Sequence, residues 1–406
     1  MWENLLDRML GQLIVYGRLH VTGPDGLTRS YGRDGPEVAV RITDGAALRR
    51  LVTQPSLAFG ECYMDGTLMV EEDRLVDLLQ IMVRNQSVGR MPVWYRGLLR
   101  GQGAMRNMVA RNTPWRSRRN VAHHYDISDD LYRLFLDADM QYSCAYWPRR
   151  DMSLEEAQEA KKHHIAAKLR IEPGMRVLDI GCGWGGLGLT LARDYGARVT
   201  GVTLSENQLA TARARAAQAG LDIDFRLQDY RHLSETFDRV VSVGMLEHVG
   251  APHFDEYFAK VADLMAEDGI AVIHSIVKSG PPRPNNPWID KWIFPGSYVP
   301  SASEVYRAME KAWFRQSDDE SLRLHYSYTL HAWRERFEAH AARIEEMFDA
   351  RFVRMFRFYL ASMEVSFLSG TLHVQQWQLA KDMGTVPITR DYLYPASATE
   401  AQMAAE

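Results

Sequence analysis

Cysteine is scarce in this chain of 406 residues, and long apolar runs are absent. The three cysteines, Cys62, Cys144 and Cys182, form no CxxC pair, which argues against a disulfide framework and against a structural zinc site. No stretch reaches the roughly 18 uninterrupted apolar residues that a membrane-spanning helix requires. The N-terminal residues show no signal-peptide pattern, so we expect a cytoplasmic protein.

Acidic residues are missing from one long segment, residues 78–125, although the net charge of the whole chain is −4. Tryptophan, leucine and methionine are interleaved there with nine arginines, and we call it the Arg-rich segment. The arginines are Arg84, Arg90, Arg96, Arg100, Arg106, Arg111, Arg116, Arg118 and Arg119. The segment is either a solvated basic helix face or a contact with an anionic lipid surface. Since no nucleic-acid-binding motif lies beside it, we expect no nucleic-acid partner and peripheral binding at the inner face of the membrane.

The composition changes along the chain and predicts three regions. Residues 1–115 mix short strands and turns with one or two helices and most of the Arg-rich segment, which predicts a small mixed α+β domain for lipid contact. Residues 116–395 are predicted to form the catalytic domain, and residues 396–406 an alanine-rich polar tail. Within the first region, residues 16–32 predict a hairpin that turns at the Pro-Asp-Gly sequence of residues 24–26.

Strands and helices alternate from residue 174 onward. Short apolar runs predict strands, and longer periodic stretches predict helices. The predicted strands cover residues 175–180, 197–203, 222–227, 237–246 and 270–277, and the predicted helices cover residues 184–195, 205–220 and 253–267. This spacing predicts an α/β fold with a doubly wound, Rossmann-like parallel sheet, whose ligands bind at the carboxyl ends of the strands.

A glycine-rich loop, VLDIGCGWGG at residues 177–186, follows the first of these strands. Gly181, Gly183 and Gly185 let the backbone approach a ligand closely and turn into a helix, and Asp179 is placed to orient the loop or a ligand ammonium group. Taken alone, a GxGxG pattern also suits a dinucleotide or a tight turn that binds nothing. However, no acidic residue ends the second strand, where a nicotinamide dinucleotide needs one for its ribose. The loop resembles the first motif of class I S-adenosylmethionine methyltransferases, so we predict S-adenosylmethionine as the cofactor.

Two further segments are predicted to lie near this cofactor. Ser205 and Gln208 have the spacing of a helix capping box, and capping is compatible with cofactor contact because the helix N-terminus faces the site. Asp229 and Tyr230 follow the third strand, where a carboxylate can accept the adenine amine and a ring can stack. The alternative for this pair is an ordinary polar strand end.

Several polar residues lie near the mouth of the predicted sheet. They are Cys144, Glu247, His248, His274 and Tyr326. Ordinary structural explanations exist for them: a small buried hydrophobe for Cys144, a helix-start carboxylate for Glu247 and a satisfied core histidine for His274. Metal binding by Glu247, His248 and His253 is conceivable, but the spacing matches no standard ligand set, so we expect no metal site.

Six segments together resemble the cyclopropane-fatty-acyl-phospholipid synthase family, which includes the mycolic acid cyclopropane synthases. They span residues 120–126, 140–147, 177–186, 201–205, 241–250 and 288–296. The sequence AFGECYMDG of residues 58–66 resembles the N-terminal domain of the phospholipid-acting branch. The resemblance implies transfer of the methylene group of S-adenosylmethionine to the cis double bond of unsaturated phospholipid acyl chains, giving cyclopropane fatty acids. It also implies a homodimer.

The resemblance further implies residue roles. In this family a bicarbonate ion serves as the general base, and its ligands would here be Glu247, His274, Tyr326 and the backbones of Cys144 and Ile276. The implied cofactor contacts are Tyr142, Ser143, Gly181, Thr203, Leu204, Gln208, Asp229 and Tyr230. Some members carry a C-terminal cysteine once proposed as a nucleophile. No cysteine follows Cys182 here, which excludes a thiol nucleophile in that region.

The implied chemistry requires aromatic, water-free surroundings, because an alkene must be held against a methyl donor and a carbocation must be shielded. Aromatic candidates for stabilising the cation are Tyr142, Tyr146, Trp147, Phe294, Tyr298 and Tyr326. Five apolar residues at helical spacing predict either ordinary core or an acyl-chain channel. They are Phe348, Phe352, Phe356, Leu360 and Met363.

Three other functions stay open at this point. The first is a methyl-branched product, of the 10-methyl or methylene type, from the same substrate. The second is C-methylation of a soluble small molecule, against which the N-terminal domain and the Arg-rich segment argue. The third is a catalytically silent lipid-binding protein, against which the intact Glu247, His274 and Tyr326 argue.

Overall fold

The computed structural model describes residues 1–88 and 129–394 of the chain. The Arg-rich segment beyond residue 88, the segment 120–126 and the predicted tail lie outside the described residues, so the predictions made for them stay predictions. Among the described residues, no helix is both long enough and apolar enough to cross a membrane.

Residues 1–88 form a four-stranded sheet packed with four helices, more than the one or two helices predicted. The elements are α1 (Trp2–Leu13), β1 (Tyr16–Thr22), β2 (Thr28–Gly32), β3 (Asp34–Ile42), α2 (Gly45–Thr53), α3 (Pro55–Met64), β4 (Leu68–Val70) and α4 (Leu75–Val88). The strand order is β2-β1-β3-β4, with β1 antiparallel to β2 and parallel to β3. The predicted hairpin between β1 and β2 is confirmed.

Residues 129–394 contain a seven-stranded sheet in the order β10-β11-β9-β8-β5-β6-β7. Its strands are β5 (Arg176–Ile180), β6 (Arg198–Thr203), β7 (Asp224–Leu227), β8 (Phe237–Val243), β9 (Met265–Lys278), β10 (Arg315–Ser321) and β11 (Leu372–Ala380). The helices are α5 (Asp129–Phe135), α6 (Leu154–Leu169), α7 (Gly186–Tyr195), α8 (Glu206–Ala219), α9 (Phe254–Leu264), α10 (Pro287–Trp292), α11 (Ala302–Lys311), α12 (His325–Ala339), α13 (Ala341–Met347) and α14 (Ala350–Leu368). Strands β5 to β9 are parallel, whereas β11 is antiparallel to both of its neighbours.

The winding of the chain places a ligand site at the end of β5. From β5 the chain passes to β6 and β7 on one side, and then returns to β8 and β9 on the other. The direction of winding therefore reverses between β5 and β8, and ligands of such sheets bind at the carboxyl ends of the strands around this point. The glycine-rich loop leaves β5 there, so the predicted α/β, Rossmann-like architecture is confirmed.

Some predicted element boundaries were wrong. Strand β8 ends at Val243 instead of residue 246, because Gly244 has a φ of 67°, which extended strands do not adopt. Helix α9 ends at Leu264, since Met265 is already extended and begins β9. The antiparallel strands β10 and β11 were not predicted. Their sequences, RQSDDES and LHVQQWQLA, are polar or rich in glutamine, and such residues give no strand signal.

Candidate active site

A cleft of about 1350 Å³, partly open to solvent, lies at the carboxyl ends of β5, β6 and β8. The structure brings all of the predicted cofactor residues except Gly185 to its walls. These are Tyr142, Ser143, Asp179, Gly181, Gly183, Thr203, Leu204, Gln208, Asp229 and Tyr230. Residues separated by almost 90 positions in the sequence thus surround one cleft.

The glycine-rich loop adopts backbone conformations that favour glycine. The φ angle is 82° at Gly181, 55° at Gly183 and 82° at Gly185. A Cβ atom at Gly183 would meet no protein atom within 4 Å, so the missing side chain leaves open space for a ligand. A Cβ atom at Gly185 would lie 2.8 Å from the ring of Phe225 and 2.9 Å from the side chain of Ala212. Gly185 therefore permits close packing of the loop against α8, and its role as a cofactor contact stays a prediction.

Asp179, at the start of this loop, carries a buried carboxylate. Its Oδ2 atom has no hydrogen-bond partner among the described residues. Burial raises the pKa of Asp179 to about 7, and the nearby Lys161 ammonium lowers it only in part. A buried carboxylate oxygen without a partner is unfavourable unless a donor or a cation reaches it. The loop therefore fits a ligand that brings an ammonium group.

The segment after β6 is held by internal hydrogen bonds. Ser205 caps α8, since its Oγ accepts from the backbone N–H of Gln208 at 3.3 Å. The side chain of Gln208 does not complete the predicted capping box, because its Oε1 accepts from Thr203 Oγ1 at 3.1 Å. After the neighbouring strand β7, the carboxylate of Asp229 accepts from the Arg231 guanidinium at 2.9 and 2.6 Å. An adenine amine bound to Asp229 would have to share the carboxylate with Arg231.

Glu247 follows β8 and is buried beside the cleft. Its Oε1 accepts from the backbone N–H of Ile276 at 2.6 Å, while its Oε2 has no hydrogen-bond partner among the described residues. Burial raises the pKa of Glu247 to about 7. The backbone N–H of Tyr298 donates to the Glu247 carbonyl at 2.7 Å and holds this turn in place. Two of the predicted catalytic residues thus touch, and one acceptor oxygen stays available.

His274 lies on β9 opposite Val243 of β8, which lines the cleft. The Nε2 amide of Gln376 donates to His274 Nδ1 at 3.0 Å, so the neutral ring carries its proton on Nε2. Burial lowers the pKa of His274 to about 3, and the positive charges of Lys161 and Lys168 add to this effect. The imidazole is therefore neutral at physiological pH, and its Nε2–H can donate a hydrogen bond.

The other two predicted catalytic residues, Cys144 and Tyr326, lie in apolar surroundings. The thiol of Cys144 donates to the Ala145 carbonyl at 3.3 Å, and burial raises its pKa, which keeps it protonated. The ring of Tyr326, on α12, packs 4.6 Å from the ring of Phe367. The loop and the helix are joined, because the Ala145 N–H donates to Thr329 Oγ1 at 3.1 Å.

Aromatic rings from α12 and α14 adjoin the cleft. Tyr142, which lines it, stacks on Trp333 with ring centroids 5.2 Å apart, and its hydroxyl bonds to the hydroxyl of Tyr359 at 2.9 Å. Phe294 packs 5.8 Å from Tyr359. We call these four residues the aromatic wall. Trp333 and Tyr359 were missed by the sequence reasoning, since no motif marks them.

Two of the aromatic candidates for cation stabilisation have other partners. The indole N–H of Trp147 donates to Thr329 Oγ1 at 3.0 Å, and the hydroxyl of Tyr298 donates to Glu304 at 2.9 Å. Both residues therefore hold neighbouring elements together.

The apolar residues predicted on one helical face lie on α14, except for Phe348, which precedes the helix. The rings of Phe348 and Phe352 stack 4.1 Å apart, and those of Phe352 and Phe356 lie 5.7 Å apart. This packing supports the interpretation as ordinary core for Phe356 and Leu360, which are buried, whereas Phe348 is 38% exposed.

The metal alternative gains no support at the cleft. Among the described residues, the side chains close enough to share an ion are Glu159, His163 and Asp194, and not Glu247 with His248. The two carboxylates of this group already pair with neighbouring lysine and arginine side chains.

The open glycine-rich loop, the unpartnered carboxylate beside it and the cleft at the reversal of the sheet define a class I S-adenosylmethionine-dependent methyltransferase. The chain belongs to the mycolic acid cyclopropane synthetase family, whose family model matches residues 112–377. A second family model, for a domain of unknown function, matches residues 5–89. The predicted family, enzyme class and cofactor S-adenosylmethionine are thereby confirmed.

Relatives of known name agree with this assignment. The chain is 39% identical to the cyclopropane-fatty-acyl-phospholipid synthase of Escherichia coli (strain K12), over 85% of this chain and 88% of the relative. It is 34% identical to the tuberculostearic acid methyltransferase of Mycobacterium tuberculosis, over 93% of this chain and 91% of the relative. The solved structure of the cyclopropane synthase MmaA2 from Mycobacterium tuberculosis matches with a TM-score of 0.62 and 33% identity, over 65% of this chain and 98% of that one. The mycolic acid cyclopropane synthase CmaA1, complexed with SAH and CTAB, matches with a TM-score of 0.61 and 32% identity, over 64% and 97%.

Proposed function

We propose that this enzyme transfers the methylene group of S-adenosylmethionine to the cis double bond of an unsaturated phospholipid acyl chain and forms a cyclopropane fatty acid. The observation that carries the proposal is the position of buried Glu247 and His274 beside a cofactor cleft that adjoins the aromatic wall. An isolated alkene is apolar, so its site must exclude water, and aromatic side chains do so. The name of the Escherichia coli relative supports the same reaction.

The described residues fit the cofactor. S-adenosylmethionine supplies an electrophilic methyl group on its sulfonium. The unpartnered Oδ2 of Asp179 suits its ammonium group, and the open space at Gly183 admits it close to the backbone. The other proposed contacts are Tyr142, Ser143, Gly181, Gly185, Thr203, Leu204, Gln208, Asp229 and Tyr230.

The aromatic wall has three tasks in this proposal. It holds the acyl chain against the cleft, and such alignment can supply roughly 7–11 kcal/mol of a reaction barrier. It keeps water from the positive charge that develops on the acyl chain. It also presents π faces to that charge.

We further propose that Glu247, His274, Tyr326 and the backbones of Cys144 and Ile276 hold a bicarbonate ion, which would serve there as a base. An ion of this kind both donates and accepts hydrogen bonds. The unpartnered Oε2 of Glu247 can accept from its hydroxyl, and the Nε2–H of His274 can donate to its oxygens. Because the Ile276 N–H already donates to Glu247, Ile276 contributes by fixing that carboxylate.

The proposed substrate lies in a bilayer, so we propose that the enzyme is cytoplasmic and binds peripherally at the inner face of the membrane. Residues 1–115 would supply the lipid contact, residues 116–395 the chemistry, and residues 396–406 a tail. The family matches end at residue 89 and resume at residue 112, which supports a boundary in this interval. The resemblance also supports a homodimer.

A methyl-branched product is the second candidate. The same positive charge on the acyl chain can be resolved without ring closure, which leaves a branched chain. The match to a tuberculostearic acid methyltransferase over nine-tenths of both chains supports a methyl-branched product as the second candidate. The choice between the products depends on where the acyl chain loses its proton.

The test is to incubate the purified full chain with S-adenosylmethionine and vesicles of cis-unsaturated phospholipid, and to identify the fatty acid methyl esters by mass spectrometry and proton NMR. We expect a mass gain of one methylene with upfield cyclopropane protons, and no gain with Glu247→Gln. The same gain with olefinic or exomethylene protons would establish the branched product. No gain, with cofactor binding confirmed by calorimetry, would overturn the proposal in favour of a soluble substrate or a silent lipid-binding protein. Bicarbonate-depleted buffer should slow the reaction, and added bicarbonate should restore it.

A further inference from the structure

Lys161 on α6 borders the cofactor cleft, yet only 1% of its surface is exposed. Its Nζ donates to the side-chain carbonyl of Gln141 at 2.7 Å and to Ser143 Oγ at 2.8 Å. An ammonium group has three protons, so one proton is left over. The structure thus buries a cationic side chain next to a ligand site.

Lys161 differs from the other two buried lysines of α6. Lys162 pairs with Asp139 at 2.9 Å, and Lys168 pairs with Glu320 at 2.7 Å. Lys161 forms no ion pair with any carboxylate in residues 1–88 or 129–394. Burial of a cation without a contacting anion is unfavourable, and an apolar side chain would be the more stable choice there. Burial lowers the pKa of Lys161, although Asp137 and Asp139 attract its ammonium from beyond contact distance and raise the pKa in part. An anion from outside the described chain would offset the remaining cost.

The hydrogen-bond directions make Ser143 a donor toward the cleft. Because an ammonium group can only donate, Ser143 Oγ has to accept from Lys161. The hydroxyl proton of Ser143 is then free to point elsewhere, and Ser143 lines the cleft. The backbone is held as well, since the amide of Gln158 donates to the carbonyls of Gln141 and Ser143 at 3.1 and 3.0 Å.

The cleft consequently has two poles of opposite sign. Lys161 with Ser143 supplies positive charge and donors, and the unpartnered Oδ2 of Asp179 supplies negative charge. A free α-amino acid group carries one carboxylate and one ammonium, and it matches both poles.

We propose that Lys161 is a positioning residue that selects the α-carboxylate of the cofactor, by its charge and by holding Ser143 as a donor to that carboxylate. The inference deepens the proposed cofactor contact of Ser143 and rests on it. It predicts which part of the ligand Lys161 affects. Binding of the adenosine end, for which the proposed contacts are Asp229 and Tyr230, should not depend on Lys161.

The test compares two ligands by isothermal titration calorimetry. S-adenosylhomocysteine has the amino acid end, and 5′-methylthioadenosine lacks it. We expect Lys161→Met to weaken S-adenosylhomocysteine binding by about 10- to 100-fold, as for loss of a charge-assisted contact, and to leave 5′-methylthioadenosine binding within about twofold. Lys168→Met is the matched control, because it removes an equally buried ammonium from the same helix that does not border the cleft. It should change both affinities by the same factor.

Equal weakening of both ligands by Lys161→Met, or no change in either, would show a purely structural lysine and overturn the proposal. If that variant does not fold, Lys161→Gln and Ser143→Ala replace it. Each should show the same kind of loss, confined to S-adenosylhomocysteine, and the double variant should lose less than the product of the two single fold-losses, because part of the effect of Lys161 acts through Ser143. Additive losses would again contradict the proposal. Calorimetry measures ligand binding and not product formation. The result therefore tests the role of Lys161 even if the enzyme forms no cyclopropane.

Discussion

At the scale of single residues, a carboxylate placed out of water favours its neutral form, and Glu247 is such a group. Burial raises its pKa from an ordinary 4.5 to about 7. The native state therefore holds this proton more tightly than the unfolded chain does. The resulting stabilisation is fully present below about pH 4.5 and is lost as the pH rises through about 7. At pH 8 the folded protein carries a buried negative charge with one unpartnered oxygen.

We predict that Glu247→Gln raises the free energy of unfolding at pH 8 by about 2–3 kcal/mol and has little effect near pH 4.5. Glutamine keeps the acceptor for the Ile276 N–H and removes the charge. Urea unfolding at the two pH values measures the difference. The same variant should form no product, because the buried charge that destabilises the native state is needed for activity.

The control for this prediction is Glu267→Gln, because the Glu267 side chain is 95% exposed. It should leave the free energy of unfolding unchanged at both pH values. A loss of stability in Glu247→Gln at pH 8 would contradict the prediction, since it would mean that the charge is stabilised in the native state.

Site residues that lie within sequence motifs were predicted, whereas residues that contact them from other helices were not. Asp179 lies near the carboxyl end of β5 and Glu247 in the turn after β8, where the fold class itself predicts a site. Lys161 borders the cleft from the middle of a helix, and Trp333 and Tyr359 contact the cleft residue Tyr142 from two other helices. In the sequence, such buried lysines and aromatic residues look like any others. Their roles depend on tertiary contacts that no local pattern encodes.

At the scale of elements, sequence signals for the start and the end of a helix predicted its boundaries correctly. Helix α8 begins at the Ser205 cap and ends at Gly220, as predicted, because the hydroxyl satisfies a free N–H and the glycine adopts a φ of 66°. Strand β11 lacked any such signal, although it lies inside the sheet between β9 and β10. Gln376 and Gln378 are fully buried there, and both bond to other elements. Because their hydrogen-bond partners come from distant parts of the chain, the sequence of this central strand has the polar composition of an exposed strand.

The side chain of Glu61 connects a helix of residues 1–88 with a helix of residues 129–394. It lies on α3, and its carboxylate accepts from Lys291 at 2.6 Å and Trp292 at 3.2 Å on α10, and from Arg50 at 2.5 Å on α2. Burial alone would raise the pKa of Glu61, but these hydrogen bonds outweigh it and lower the pKa. The contribution to stability is therefore present at neutral pH and is lost as the pH falls through the lowered pKa.

We predict that Glu61→Gln lowers the free energy of unfolding at pH 7 by about 1–2 kcal/mol, since the cationic partners are half exposed and partly screened. Thermal and urea unfolding at pH 7 measure this effect. Glu71→Gln is the matched control, because Glu71 pairs with Arg41 at 3.3 Å between two exposed side chains. If both variants behave alike, the link between α3 and α10 contributes no more than a surface ion pair.

At the scale of the whole molecule, a substrate buried in a bilayer requires a surface that brings the cleft to the membrane. The Arg-rich segment connects the two sheets in the sequence and contains nine arginines without an acidic residue. A basic side chain near an anionic membrane surface contributes about 1 kcal/mol of binding. Three such side chains in the part of this segment that lies outside the described residues are Arg96, Arg100 and Arg106.

Replacing these three arginines with glutamine should weaken binding to vesicles of anionic phospholipid by roughly 100-fold at low salt, and the deficit should shrink as salt rises. Binding of S-adenosylhomocysteine should not change, because the cleft residues that the structure describes all lie outside the Arg-rich segment. Vesicle co-sedimentation and calorimetry measure the two quantities. The control replaces Arg18, Arg41 and Arg193, whose side chains are 52%, 59% and 56% exposed, and should leave vesicle binding intact. If the two triple variants lose vesicle binding equally, net charge alone attracts the enzyme to the membrane. If neither loses it, the Arg-rich segment is a solvated basic face, and the proposal that it contacts the membrane is wrong.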